Sequence, residues 1–248
     1  DDDNDTDSIV PEQIFEDDKF NKLMYNSLEG THYRIAEVLH YKYNDLYRCK
    51  NYKDNTWYEF RNHRWKEGIH IKYEINKGLI LDYKQMLKYY NDNKKLKKIL
   101  RSIIKNLNTS SFKKSVLLEA YDLYYEDDEN FMEKLNENKT LIGFENGVYD
   151  LEKGDFRDGK PDDYISLSVK YNYEFKQSNK MNELIKFIED IQPNEKEREY
   201  LLKFLSLSIS GINEEELFHV FTGVSSNGKS KIRDLLKYTL GEYFATLD

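Results

Sequence analysis

With 248 residues, 39% hydrophobic and 34% charged, the chain is long enough for one large or two modest domains and carries a heavily charged exterior. Its formal net charge of −8 excludes a simple basic nucleic-acid coat, though not a local basic channel. Apolar runs fall far short of a bilayer span, the acidic start is the opposite of a secretory leader, and the single Cys49 excludes an internal disulfide or a cysteine-based zinc cluster, so a reducing, intracellular compartment is expected.

Residues 1–8 are acidic and free of apolar side chains, and read as a disordered tail or linker. Residues 9–139 read as a helical domain. From Pro11 the pattern is helical to Gly30, with Ile14, Phe15, Phe20, Leu23 and Met24 on one face. A second helix over 31–43 has Thr31 as its cap and Ile35, Val38 and Leu39 as its buried stripe. Between 46 and 66 the period changes to two. Three short strands, 46–49, 56–60 and 63–66, are separated by Asn/Asp/Lys turns, with Trp57 and Trp65 as anchors of a small antiparallel sheet.

Helix returns over 69–90, with a break expected near Gly78. The segment 94–107 is the most regular: Leu96, Ile99, Leu100, Ile103, Ile104 and Leu107 form an apolar stripe, and Lys94, Lys95, Lys97, Lys98, Arg101 and Lys105 an almost purely basic opposite face. Such a face can track a phosphate backbone, so Lys94, Lys97, Lys98, Arg101 and Lys105 are candidate nucleic-acid contacts; a solvated helix face is the commoner explanation. A further helix, capped at Thr109 or Ser110, runs to about residue 125, and 129–136 form a short one.

From Thr140 the pieces are extended: 141–144, 147–151 and 154–157, joined by Asn-Gly and Lys-Gly turns, make a β-ribbon, and 164–175 adds a possible strand. Residues 176–212 form a helical linker of two helices, 179–192 and 194–209. The second has Tyr200, Leu201, Phe204, Leu205 and Leu207 inside and Gly211 closing it.

The last stretch, 213–248, carries the strongest chemical signal. Gly223-Val224-Ser225-Ser226-Asn227-Gly228-Lys229-Ser230 fits the phosphate-binding pattern G-x-x-x-x-G-K-[ST] at every fixed position. The run LFHVFT over 217–222 suits a buried strand before it, and 229–240 a helix after it, closed at Gly241. In that setting the loop from Gly223 through Ser225, Ser226, Asn227 and Gly228 turns backbone N–H groups toward phosphate oxygens at the positive end of the helix dipole. Lys229 then reaches the β- and γ-phosphates, and the Ser230 hydroxyl meets Mg²⁺ when nucleotide is bound. The bland alternative is a Gly/Ser-rich surface turn. Asp234 lies inside the following helix and Asp248 is the last residue, so neither sits at the end of a second strand where a metal-holding acid belongs. No complete catalytic set is visible, only the clamp for ATP and Mg²⁺.

The stretch 141–161, LIGFENGVYDLEKGDFRDGKP, resembles the segment that precedes the helicase in primase-helicases of poxviruses and other large DNA viruses. The aromatic hairpin around Trp57 and Trp65, the 194–211 helix and the loop ending NGKS occur in the order that family shows, so the resemblance covers roughly Ile35 to the end. Members often have glycine where this chain has Ser225; the two positions the turn requires, Gly223 and Gly228, are kept. The resemblance implies a superfamily 3 helicase, an ATP-driven ring of six subunits that unwinds DNA, single-stranded or forked, at a viral replication site or in the host-cell cytoplasm. It further implies a primase domain upstream and a collar-like domain before Glu216. The expected fold class is therefore α+β: a mainly helical collar-like domain with small antiparallel sheets, then the first strand, phosphate loop and helix of a truncated α/β ATPase. On this view the chain is a piece of a longer polypeptide. A non-enzymatic DNA-binding or ring-assembly module is the alternative, and a small-molecule kinase is disfavoured because 222 residues precede the loop.

Overall fold

The computed structural model describes residues 13–50, 56–68, 71–176, 180–211, 218–224 and 227–246. The chain divides into two compact units, residues 1–59 with 67–132, and residues 60–66 with 133–248. Among the described residues it is α+β, with two three-stranded sheets.

In the first unit, α1 (Asp18–Asn26) begins later than the apolar pattern from Pro11 suggests. Asp17 caps it by accepting from the Phe20 N–H at 2.9 Å, while the Ile14 N–H donates to Asn21 Oδ1 at 3.0 Å, so the chain before Asp17 is held outside the helix. Helix α2 (His32–Tyr43) starts at the expected cap, Thr31, whose hydroxyl accepts from the Arg34 N–H at 3.3 Å. Strands β1 (Tyr47–Cys49), β2 (Trp57–Arg61) and β3 (Arg64–Glu67) follow in sheet order, β1 and β2 antiparallel with Cys49 opposite Trp57. The turn between β2 and β3 is Asn62-His63, both at positive φ, the geometry that suits the twist of a two-residue hairpin.

The segment after the sheet is helical but not uniformly so: α3 (Ile71–Glu74), one π turn over Ile75–Leu79, then α4 (Ile80–Tyr89). The anticipated break at Gly78 is this π turn. A Cβ at Gly78 would overlap the Tyr43 hydroxyl, so glycine admits that ring edge against the widened backbone. Helix α5 (Lys94–Leu107) is capped by Asn93, which accepts from the Leu96 N–H at 3.1 Å, and buries Leu96, Leu100, Ile103 and Leu107. Helices α6 (Ser110–Asp127) and α7 (Phe131–Lys134) complete the unit. α2 packs along α6 and α4 along α5. The core contains Met24, Ile35, Leu39, Trp57, Tyr83, Leu100 and Tyr124, and two of its buried hydroxyls are paired: Tyr83 Oη donates to Ser27 Oγ at 2.7 Å and Tyr124 Oη to the Leu39 carbonyl at 3.1 Å.

In the second unit, β4 (Leu141–Phe144), β5 (Gly147–Asp150) and β6 (Asp155–Arg157) form an antiparallel meander. The register puts Ile142, Tyr149 and Phe156 side by side on one face, while Leu141 and Val148 on the other meet Ile165. Tyr173 stacks on Phe156 at 4.6 Å and covers the aromatic face. The possible strand at 164–175 is not a strand. It touches β4 through Val169 N–H to Gly143 O and Glu145 N–H to Tyr171 O, but positive φ at Tyr164 and Lys170 interrupts any ladder. Side chains take over instead: Asn136 accepts from the Ser166 and Leu167 N–H groups, and Glu242 from that of Ser168. The hairpin tip belongs here too. The Trp65 indole donates to the Pro161 carbonyl at 2.8 Å, and Arg64 pairs with Glu145 at 2.7 Å.

Helices α8 (Met181–Ile191), α9 (Glu195–Ser210) and α10 (Lys229–Leu240) share a small core of Ile188, Leu201 and Ile232. Asn194 caps α9 and Gly211 closes it. The expected inside face of α9 needs correction: Leu201 is buried, but Tyr200 and Leu207 are 59% and 64% exposed. The strand expected over 217–222 is not formed at 218–222, which is irregular with Phe218 86% exposed; a strand needs a neighbour to satisfy its backbone, and none of the described ladders includes this segment. Leu217 lies outside the described residues, as does the acidic tail 1–8.

Candidate functional site

The phosphate-loop sequence opens α10. Gly228 is its N-cap at φ 87°, a left-handed conformation that favours glycine, and an added Cβ would lie 2.5 Å from Ile191 Cγ1. Gly223, at φ 147°, leaves room for the Asn227 side-chain amide, which a Cβ would strike. Both glycines of the pattern are thus favoured by conformation, and Gly228 by space as well. Lys229 turns back over the loop, donating to the Gly223 and Val224 carbonyls at 2.9 and 3.0 Å and to Asn227 Oδ1 at 2.7 Å. An ammonium gathering three oxygens from one loop is positioned to exchange them for phosphate oxygens. Ser230, in the first turn, is exposed; Ser225 and Ser226 lie outside the described residues. Asp234 is paired with Arg233 at 2.9 Å on the outside of α10.

Among the described residues no three His, Cys, Asp or Glu gather to hold a metal ion. Cys49 is buried, and burial pushes its thiol well above the ordinary range, which leaves it un-ionised and inert. Among the described residues no helix is long and apolar enough to cross a membrane.

A second candidate surface lies in the first unit. On α5, Lys94, Lys98, Arg101 and Lys105 are exposed at spacings of four, three and four, which sets them along one edge for about 16 Å. Lys97 is drawn away from that edge. Its ammonium donates to Asn91 Oδ1 at 2.7 Å and to the Asn91 carbonyl at 3.2 Å. The helix contains no acidic residue. A signal missed by reading α5 alone is the charge block around it: residues 71–114 hold twelve Lys or Arg against three Asp or Glu, a net of +9 in a chain of −8. The exposed Lys84, Lys88 and Tyr89 of α4 belong to this block. Aromatic and basic side chains interleaved in this way match the needs of a polyanion with flat bases.

Fold and site together define an α+β chain in which a phosphate-loop sequence opens a helix of the second unit and a basic face marks the first. Comparison with known proteins narrows this class. The family model described as D5 N-terminal-like matches residues 36–193. A protein named as a helicase from Acanthamoeba polyphaga mimivirus is 42% identical over 257 residues, 96% of this chain and 27% of that protein. A protein named as a helicase from Invertebrate iridescent virus 6 is 30% identical over 149 residues, 58% of this chain and 15% of that protein. One named as a primase from African swine fever virus is 29% identical over 185 residues, 71% and 18% respectively. The chain belongs to the D5 N-terminal-like family of viral primase-helicases. It spans 27% or less of the length of these relatives.

Proposed function

We propose that this chain is part of a DNA-replication primase-helicase, in which it supplies the phosphate clamp for ATP and a basic surface for DNA. The observation that carries the reading is the Lys229 ammonium held over Gly223, Val224 and Asn227 at the start of α10, in a loop whose two glycines both sit at positive φ. Lys229 would bind the outer phosphates, the amides of the loop through Ser225 and Ser226 would line them, and the Ser230 hydroxyl would complete the coordination of a nucleotide-borne Mg²⁺. Bound Mg²⁺ and ATP would supply the leaving group and its charge neutralisation; this chain holds and orients them. Strand separation and self-association into a ring belong to the same proposal.

The basic edge of α5 supports a DNA-handling role that needs no hydrolysis by the chain itself. The two roles are compatible within one longer polypeptide. ATP hydrolysis by the full polypeptide, measured with and without DNA, tests the reading. Lys229→Ala should abolish turnover while thermal unfolding stays unchanged; turnover at the wild-type rate in that variant would refute it.

A further inference from the structure

Beside the loop lies a cavity of about 550 Å³, within the size range of small-molecule sites. Its lining mixes chemistries: Asn227 and Lys229 of the loop, Tyr200 and Phe204 of α9, His219 and Phe221 ahead of the loop, and also the charged Lys196 and Glu197. The aromatic part is organised by ring contacts. Phe204 meets His219 at 4.2 Å and Phe221 at 5.6 Å, and Tyr200 Oη lies 2.9 Å from His219 Nε2. Yet Tyr200 remains 59% and Phe221 46% exposed, an arrangement a closed core would not leave. A helix such as α9 buries its aromatic residues when it can, so open rings beside a phosphate-binding lysine call for a ligand that is anionic at one end and flat and aromatic at the other.

We propose that Tyr200, Phe204, His219 and Phe221 form the base subsite of the nucleotide site, where the nucleobase stacks while its phosphates reach Lys229. The inference rests on the phosphate-clamp reading and adds to it the residues that hold the nucleoside. Phe204 and His219 fix the wall, and the exposed face of Tyr200 supplies the stacking surface. Loss of one stacking ring typically weakens binding by roughly tenfold or more.

Calorimetric titration of the 248-residue chain with ATP and with ribose 5′-triphosphate, each with Mg²⁺, isolates the base. Wild-type chain should bind ATP about tenfold more tightly than ribose 5′-triphosphate. Tyr200→Ala removes an exposed ring, and Phe204→Leu keeps apolar volume while removing aromaticity; both should lose the preference for ATP and keep the affinity for ribose 5′-triphosphate. Equal wild-type affinity for the two ligands, or an undiminished preference in both variants, would overturn the base subsite and leave the phosphate clamp standing. If wild-type chain binds neither ligand, clamp and subsite fall together.

Discussion

Lys229, Asn227 and the two glycines Gly223 and Gly228 decide what the loop can do. Lys229 is held by oxygens of its own loop, so its charge is localised before any ligand arrives, and binding costs less ordering of a flexible side chain. Gly228 combines a left-handed φ with a close approach to Ile191. Gly228→Ala should therefore destabilise the chain by about 1–3 kcal/mol, as strained left-handed residues do, with further loss from the collision. Chemical denaturation would show this as a lower midpoint, and an unchanged midpoint would mean that the loop relaxes without cost. The eight-residue pattern made this locus legible in the sequence, because its spacing is dictated by phosphate geometry. The aromatic cleft was not legible: Tyr200 and Phe204 satisfy a helical core pattern, and only their exposure and proximity to His219 distinguish them from core.

At the scale of elements, α5 and the meander make separate predictions. Four basic side chains along one helix edge should contact about four phosphates of a single strand, giving a slope of about −3 in log affinity against log salt. Lys98→Glu with Arg101→Glu should weaken DNA binding and flatten that slope, as read by fluorescence anisotropy; unchanged affinity would assign the face to solvent. Glu145 offers a pH test. The hydrogen bond from Arg64 holds its carboxyl below the usual range, assisted by Ser168 and opposed by partial burial. Because the folded-state value is depressed, this contribution is complete above the ordinary value of 4.5 and is lost as pH falls below it. Wild type should melt above Glu145→Gln at neutral pH, with the gap closing below about pH 4.5; a gap constant down to pH 3 would contradict the pairing.

Elements whose signals are local were readable in advance. Thr31 caps where expected and α5 spans the expected 94–107, while the hairpin turns fall at Asn62-His63 and Glu145-Asn146, with His63, expected in a strand, in the first turn and Gly147, expected in the second, opening β5. Elements that depend on distant partners were not. The start of α1 is moved by Asn21 capturing the Ile14 N–H, the 164–175 segment is claimed by Asn136 and Glu242, and 218–222 has strand composition with no strand beside it.

For the whole molecule, a net charge of −8 conceals a block of +9 over residues 71–114, followed by seven acidic and no basic residues over 115–133. Overall charge therefore neither supports nor excludes a local DNA surface in this chain. The phosphate-loop sequence and this basic block fall in different units. The viral relatives, named as helicases and as a primase, fit the proposed DNA-handling role. The central claim is most directly tested by strand separation of a forked DNA duplex with the full polypeptide, ATP and Mg²⁺, comparing wild type with Lys229→Ala. The account predicts ATP-dependent separation by wild type and none by the variant; separation that persists without ATP or in Lys229→Ala would contradict it.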